Sequence, residues 1–329
     1  MYGYNVFHDD IMKNLIYNVK KGEHRHAYLF TGPKGVGRHL AAKLFAAALC
    51  CTSEKRQPCN ECHACICTKN DTNPDIVHIK PKDKKSVTVE QAREIVADAY
   101  IKPLESANKV YIIDDAYDLN EATQNCLLKI LEEPPEYVVF IIIADSEAQL
   151  LQTVLSRCTT IHFPTVSDDI IKRYIEEKYP DSCDKSDLLI SLSNGIPGEV
   201  DKILSDPDYY DLRSESFKKL ISLMSEHKIS AYTISEFLED HKDDAEKIID
   251  FWQSFLRDIL IISEGGDKLI WNKDMQEEIK KIAFSIKPEF CVVALEQTIL
   301  AKTMLRKYVN LHSLSLNLSF SIKKRLYKK

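Results

Sequence analysis

The chain has 329 residues, of which 44% are hydrophobic and 29% charged, so it is long enough for two or three domains with sizeable cores. Lys and Arg total 44 against 50 for Asp and Glu, and the formal charge of −6 excludes a uniformly basic nucleic-acid-binding coat. The longest strongly apolar run, Val138 to Ala144, is too short to span a bilayer, and the first ten residues lack the basic and apolar regions of a secretory signal. We therefore expect a cytoplasmic protein with no membrane segment.

Short apolar runs alternate with helical periodicity in the first half of the chain, a pattern typical of a parallel sheet with helices on both faces. Three runs are predicted to be buried strands: Ala27 to Thr31, Val110 to Ile113 and Val138 to Ile143. One helix is predicted from Leu40 to Cys51. A second begins after Asn120, which caps it, and ends at Glu133, where Pro134 and Pro135 stop it.

The pattern changes after Pro164, where strand-like runs give way to charged helical segments rich in Leu and Ile. We predict three domains. Residues 1–165 form a P-loop-type α/β domain with a cysteine-rich module at 50–67, residues 166–207 a small helical domain, and residues 208–329 an all-helical domain. The small domain is interrupted at Gly195-Ile196-Pro197-Gly198, and Pro207 marks its end.

A glycine-rich loop containing Gly32, Gly35 and Gly37 follows the first predicted strand and leads into a helix, the context that a phosphate-binding loop requires. Its backbone N–H groups can surround a phosphate at the helix N-terminus. The two residues that carry the chemistry in a working loop, Lys and then Ser or Thr, are Arg38 and His39 here. A guanidinium does not replace an ammonium, and an imidazole is a poor ligand for Mg²⁺.

The second predicted strand ends in Asp114 and Asp115. Asp114 can hold Mg²⁺ or a water molecule, but Asp115 stands where a longer Glu usually orients the attacking water. Because positioning dominates phosphoryl transfer, we predict a retained fold with a vestigial nucleotide site and no efficient ATP hydrolysis.

Six of the ten cysteines lie between Cys50 and Cys67, which in a reducing compartment indicates metal ligation rather than disulfides. We predict that one structural Zn²⁺ is bound by Cys50, Cys59, Cys62 and Cys65. Cys51 is the main alternative to Cys50, while Cys67 and His63 are spare donors. Four thiolates leave no open position for water, so we expect no catalysis at this metal.

Together these motifs resemble one family closely, the delta-prime subunits of the bacterial DNA polymerase III clamp loader. The resemblance rests on the four-cysteine insertion and on three further segments, which are His26 to Pro33, Leu127 to Pro135 and Leu155-Ser156-Arg157-Cys158. It implies an AAA+ fold in which the second domain is a helical lid and the third a collar that assembles a ring. It also implies gamma or tau and delta subunits as partners, with the sliding clamp and primed DNA reached through the complex.

The resemblance further implies a role for Ser156, Arg157 and Cys158, in which Arg157 is an arginine finger for the ATP site of a neighbouring subunit. Active relatives carry a hydroxyl residue at the end of the third predicted strand, where this chain has Ala144-Asp145. They also carry a lid arginine at the position of Gly198, which Glu199 follows here. Both departures favour a subunit that does not hydrolyse ATP.

Two other functions remain as alternatives. One is an active gamma- or tau-like ATPase that tolerates Arg38, and the other is a zinc-dependent nucleic-acid-binding module. The acidic balance and the lack of a basic helix beside the cysteines argue against the second. The basic residues 323–329 could contact DNA phosphates, although a solvated helix end is the preferred interpretation.

Overall fold

The computed structural model describes residues 7–53, 57–81, 87–116, 119–224, 231–306 and 310–326. The chain divides into two compact units, one comprising 1–174 with 195–198 and the other 175–194 with 199–329. Within the described ranges, no helix has the length and apolar character needed to cross a membrane. The division of the helical part into a lid and a collar stays a prediction.

A five-stranded parallel sheet forms the centre of the first unit, with the strands in the order β2-β3-β4-β1-β5. The strands are β1 (Ala27–Thr31), β2 (Ile76–Ile79), β3 (Lys109–Ile113), β4 (Val138–Ala144) and β5 (Thr159–His162). Every residue of the three central strands β1, β3 and β4 is buried, as a sheet covered on both faces requires. These are the three strands predicted from the sequence, and the prediction is confirmed.

The two edge strands were not predicted. In β2 only Ile79 is buried, and in β5 three of the four side chains are exposed. An edge strand is covered less completely than a central one, so its sequence shows a weaker apolar pattern.

Helices cover both faces of the sheet. The helices that begin in this unit are α1 (Asp9–Lys21), α2 (Arg38–Cys50), α3 (His63–Lys69), α4 (Val89–Ala99), α5 (Glu121–Glu132), α6 (Gln152–Leu155) and α7 (Asp168–Lys178). Side chains of α1, α2 and α3 share one core with the sheet, whereas α4, α5 and α6 share the core on the opposite face. Asn120 caps α5 by accepting a 2.9 Å hydrogen bond from the Thr123 backbone N–H, as predicted.

The second unit is helical throughout its described part. Its helices are α8 (Ser186–Ser193), α9 (Pro197–Ser205), whose first two residues belong to the first unit, α10 (Tyr209–Met224), α11 (Ala231–Asp240), α12 (Ala245–Ser263), α13 (Gln276–Ala283), α14 (Pro288–Arg306) and α15 (Leu311–Leu326). Trp252 and Phe255 of α12 are fully buried at the centre of this core. The buried Arg213 guanidinium is neutralised by Asp274, with the closest atoms 2.6 Å apart.

Candidate functional site

The glycine-rich loop joins β1 to the first turn of α2 at the carboxyl edge of the sheet. Gly32 and Gly37 have φ values of 141° and 106°, and a Cβ on Gly32 would collide with the carbonyl of Phe163. His8 supports the loop from outside by donating a 3.1 Å hydrogen bond to the carbonyl of Val36. The loop therefore has the backbone of a phosphate-binding turn, fixed by neighbouring residues of the same unit.

The backbone of residues 195–198 lies directly against this loop. The Gly198 N–H donates a 3.0 Å hydrogen bond to the carbonyl of Gly35. A Cβ on Gly198 would lie only 2.8 Å from the Cα of Gly35, so the two chains approach too closely for a side chain. One carbonyl of the loop is thus engaged by the chain itself.

Arg38, the first residue of α2, is only 4% exposed. Its Nη1 donates to the carbonyl of Ala144, and its Nη2 donates to Asp145 Oδ1 at 2.7 Å. Both partners lie where β4 ends, so the guanidinium links the start of α2 to the next strand of the sheet. The residue that should contact the terminal phosphates of a nucleotide is held by the protein's own acceptors.

Asp114 is surrounded by basic side chains. Its Oδ1 lies 3.4 Å from Nδ1 of His39 and 3.6 Å from Nδ1 of His78, and its Oδ2 lies 3.1 Å from Nζ of Lys80. Burial tends to raise the pKa of Asp114, but these hydrogen bonds and the lysine charge outweigh it and hold the pKa well below its ordinary range. Asp115, the next residue, is half-buried.

The structure thus brings together the predicted residues His39 and Asp114, and adds His78 and Lys80 to them. The two added residues lie at the end of β2, the edge strand that the sequence pattern did not indicate. Mg²⁺ is disfavoured at Asp114, because the Lys80 ammonium lies beside the carboxylate and both of its oxygens already have side-chain partners.

Arg157 lies in the turn between α6 and β5, and its side chain is 32% exposed. Its Nη1 donates to the carbonyl of Thr153 at 2.7 Å and to Ser156 Oγ at 3.2 Å. Its Nη2 lies 2.5 Å from Glu132 Oε1. Cys158, the third residue of the motif, packs against the core, and burial raises the pKa of its thiol to about 11.

Arg157 and the glycine-rich loop lie at opposite ends of the strands: the loop follows the carboxyl end of β1, and Arg157 precedes the amino end of β5. Strand β5 runs parallel to β1, with Thr159 opposite Tyr28 and His162 opposite Thr31. Arg157 is therefore level with the residue six positions before Gly32, roughly 20 Å along the strand direction at about 3.3 Å per residue. This separation is well beyond the reach of an arginine side chain, so Arg157 cannot act on its own loop.

The cysteine module follows α2 and contains one compact group of thiols. The sulfur atoms of Cys51, Cys59, Cys62 and Cys65 all lie within 4.8 Å of one another. The Sγ–Sγ distances are 4.0 Å for Cys59 and Cys65 and 4.0 Å for Cys51 and Cys62. Zinc–sulfur bonds of about 2.3 Å in a tetrahedron separate the sulfurs by about 3.8 Å, so this group has the dimensions of a zinc site.

Backbone N–H groups point at these sulfurs, as expected around thiolates. Cys51 Sγ accepts from the N–H of Ser53 at 3.5 Å and of Cys59 at 3.4 Å, and Cys59 Sγ accepts from the N–H of Cys62 at 3.2 Å. Burial tends to raise the pKa of Cys62, but hydrogen bonds from Thr52 and Cys65 outweigh it and lower the pKa to about 6. In Cys51 and Cys65 burial prevails and raises the pKa. The donor set therefore fits a divalent metal ion that prefers sulfur.

The group of four sulfurs does not include Cys50, one of the four predicted metal ligands. This residue is the last in α2, is 1% exposed, and its Sγ lies 3.6 Å from the carbonyl of Asn108 in the core. The group contains Cys51, the alternative considered from the sequence, because the backbone becomes extended there (φ −68°, ψ 129°) and leaves the helix. Among the spare donors, Cys67 lies 3.5 Å from His63 Nε2, and neither belongs to the four-sulfur group.

The first unit, in which a buried strand leads through a glycine-rich loop into a helix, defines a P-loop-type α/β protein. Two family models match the chain, "DNA polymerase III, delta subunit" over residues 7–167 and "DNA polymerase III, delta subunit, C terminal" over residues 207–314. The DNA polymerase III subunit delta' of Bacillus subtilis is 30% identical over 319 residues, covering 94% of both chains. The chain belongs to this delta-prime family, which confirms the resemblance found in the sequence.

Further similar proteins include other subunits of DNA polymerase III and of a clamp loader. The tau subunit of Bacillus subtilis is 35% identical over 167 residues, which cover 50% of this chain and 29% of that one. Among solved structures, a gamma subunit-related protein of Thermotoga maritima has a TM-score of 0.46 at 16% identity, covering 96% of this chain and 99% of that one. The clamp loader delta protein of Bacillus subtilis has a TM-score of 0.31 at 13% identity, covering 95% and 100%.

Proposed function

We propose that this chain is a non-hydrolysing, delta-prime-type subunit of a clamp loader that helps to load the sliding clamp onto primed DNA. In this proposal it assembles with gamma- or tau-type and delta-type subunits in the cytoplasm, through the predicted collar at 208–329. Arg157 then acts as an arginine finger in the ATP site of a neighbouring subunit. The observation that carries the proposal is the position of Arg157 at the amino ends of the strands, whereas the chain's own loop lies at their carboxyl ends.

The side-chain contacts at the loop support the absence of ATP hydrolysis. Arg38 is held by Ala144 and Asp145, so a phosphate would have to compete with a partly buried ion pair for the guanidinium. Asp114, the expected Mg²⁺ ligand, already has three basic neighbours. Phosphoryl transfer depends on positioned charges, and both positions are engaged within the chain.

The contacts of Arg157 support its role as a finger. Its guanidinium is partly exposed, and its partners within the chain engage Nη1 and one N–H of Nη2. A guanidinium carries five N–H groups, so donors remain for a phosphate presented by a second subunit. Such a finger neutralises charge on the transferred phosphoryl group and is worth about 10³- to 10⁵-fold in the best-studied systems.

The cysteine module fits a structural role. One Zn²⁺ held by Cys51, Cys59, Cys62 and Cys65 would connect the end of α2 to α3 and fix the segment between them. Four protein ligands complete a tetrahedron, so the metal would supply rigidity to this module rather than a reactive water.

The two alternative functions have less support. An active gamma- or tau-like ATPase would need Arg38 and Asp114 to release their present partners before binding Mg²⁺ and nucleotide. For a zinc-dependent nucleic-acid-binding module, no basic helix accompanies the cysteines in the described ranges, and α3 has a single basic residue in its last turn. The side chains of the basic residues 323–329 lie outside the described part of the chain.

Reconstitution with gamma- or tau-type and delta-type subunits tests the proposal. The isolated chain should not hydrolyse ATP, and Arg157→Ala should assemble normally but lower the DNA- and clamp-stimulated ATPase at least tenfold, because one finger is removed. Arg157→Lys should rescue poorly, since an ammonium cannot reproduce the planar guanidinium. Arg93→Ala, which removes an exposed arginine from α4, is the matched control and should leave the rate unchanged.

Two results would reject the proposal. If the Arg157→Ala complex loads clamps at the wild-type rate, Arg157 is not a finger. If the isolated chain turns over ATP and loses this activity on Asp114→Ala, the gamma- or tau-like alternative is correct.

A further inference from the structure

Glu132, the last residue of α5, is the one carboxylate that contacts Arg157 within the described ranges. We propose that Glu132 is the positioning residue for this arginine: it holds the guanidinium in the orientation needed to reach a neighbour's phosphate. This inference rests on the proposed function, since it assumes that Arg157 acts as a finger.

The local structure fixes Glu132 firmly. Leu127, Ile130 and Leu131 are at most 3% exposed and anchor α5 in the core beneath the sheet. The helix stops at Glu132 because Pro134 disfavours the helical conformation in the residue before it. The Glu132 side chain, 48% exposed, consequently projects from a rigid helix end rather than from a mobile loop.

The position of this carboxylate does not serve the helix itself. Glu132 and Glu133 stand at the carboxyl end of α5, where the helix dipole disfavours negative charge. Glu132 is compensated by the Arg157 guanidinium at 2.5 Å, whereas Glu133 pairs with no cation in the described part of the chain. The two adjacent carboxylates therefore differ in the feature that matters, contact with the arginine.

Three acceptors, from the α6 segment and from α5, bind the Arg157 guanidinium. The Thr153 carbonyl and Ser156 Oγ hold Nη1 from the arginine's own turn, and Glu132 holds Nη2 from α5. Ser156 Oγ is itself fixed by donating to the Thr153 carbonyl at 3.0 Å. Contacts at both terminal nitrogens define the plane of the guanidinium as well as its location, which a single contact would not do.

Preorganisation of this kind acts on the chemical step more than on nucleotide binding. An arginine that is already oriented loses less rotamer freedom when it meets the phosphate, and small misplacements of a catalytic group are costly. Without Glu132 the guanidinium would still be present, but it would sample more orientations. The expected signature is a lower kcat for the neighbour's ATPase with an unchanged KM for ATP.

The test uses the reconstituted complex and measures DNA- and clamp-stimulated ATPase. Glu132→Ala should lower kcat about 3- to 10-fold with KM for ATP unchanged. Glu132→Gln keeps the length of the side chain and one acceptor oxygen, so its kcat should lie between those of Glu132→Ala and wild type. Glu133→Ala removes the neighbouring carboxylate and should have no effect.

A double-variant comparison separates this inference from the proposed function. In the Arg157→Ala background, Glu132→Ala should cause no further loss, because there is no guanidinium left to orient. If Arg157→Ala itself has no effect, the finger proposal fails and this inference fails with it. If Arg157→Ala is impaired but Glu132→Ala is as active as wild type, more active, or equally harmful in both backgrounds, only the positioning role is overturned.

Discussion

Helix α2 connects two polar clusters that differ in whether their side chains find partners of opposite charge within the chain. At its first turn, Arg38 is paired with Asp145, and Asp114 nearby is surrounded by His39, His78 and Lys80. Just beyond its last turn, the sulfurs of Cys51, Cys59, Cys62 and Cys65 lie close together and receive backbone N–H groups.

The difference shows how residue chemistry decides whether a cluster needs a ligand. In the first cluster acidic and basic side chains satisfy one another, so an added nucleotide or Mg²⁺ must displace existing contacts. In the second cluster every group is a sulfur donor, and a bound cation would stabilise the deprotonated thiolate forms. The charges of the first cluster are largely paired within the chain, whereas the second offers four sulfur donors to a metal ion.

The largest expected effect concerns the sulfur cluster. Metal analysis should find one Zn²⁺ per chain, and Cys51→Ser should abolish binding and destabilise the protein by about 4 kcal/mol or more, because a ligand of a closed site is lost. Cys50→Ser is the matched control from the adjacent position and should retain the metal. Zinc loss in Cys50→Ser but not in Cys51→Ser would reverse the assignment of the fourth ligand.

The contact of Gly198 with the loop gives the next effect. Gly198→Ala should lower the free energy of unfolding by about 1–3 kcal/mol, because the new Cβ would meet the backbone of Gly35 at 2.8 Å and both segments would have to shift. Thermal and urea unfolding would measure the change. Wild-type stability in this variant would mean that residues 195–198 can leave the loop at little cost.

Asp114 provides a pH-dependent test of the self-satisfied cluster. Asp114→Asn should destabilise the protein by about 1–2 kcal/mol at pH 7, because a charged acceptor of three basic groups is lost. Since the folded-state pKa of Asp114 is lowered, its contribution is present above the unfolded pKa of about 3.9 and is lost as the pH falls below it. Stability curves of variant and wild type should therefore converge in acid, and a constant difference down to pH 2 would contradict this account.

The smallest effect should come from restoring the phosphate-binding residues. Arg38→Lys combined with His39→Thr should strengthen ATP binding by about tenfold, measured by calorimetry, because the guanidinium no longer spans to Ala144 and Asp145. Hydrolysis should stay near background, since His78 and Lys80 still contact the Asp114 carboxylate. A rise in turnover as large as the rise in affinity would show that Arg38 and His39 alone prevent catalysis.

Central features of the fold followed from the sequence, and edge features did not. The strands at 27–31, 110–113 and 138–143 were predicted because both of their faces are buried, whereas the sequence Thr159-Thr160-Ile161-His162 carries too little apolar pattern to mark β5. The contacts of Asp114 with His78 and Lys80 could not be predicted for the same reason, since they depend on β2 pairing with β3.

The choice between Cys50 and Cys51 shows a different limit. Spacing along the chain fits either residue, and the distinction arises from where α2 ends, a boundary that sequence patterns define only within a few residues. The pairing of Glu132 with Arg157 likewise spans 25 positions and is visible only once the crossover after β4 is in place.

The parallel direction of β1 and β5 has a consequence for ring assembly. Consider a subunit with a working loop at the carboxyl ends of its strands and an arginine at the amino ends. Copies of it can assemble head to tail, the arginine of one beside the loop of the next, as in any heterologous interface. In this chain Arg38 and Asp114 are engaged by other residues of the chain, whereas Arg157 is partly exposed, so under the proposed function the chain completes a neighbour's site without having a working site of its own. Such a chain terminates a row of ATP-hydrolysing subunits, and we expect a single copy in each ring, at the end where the row stops.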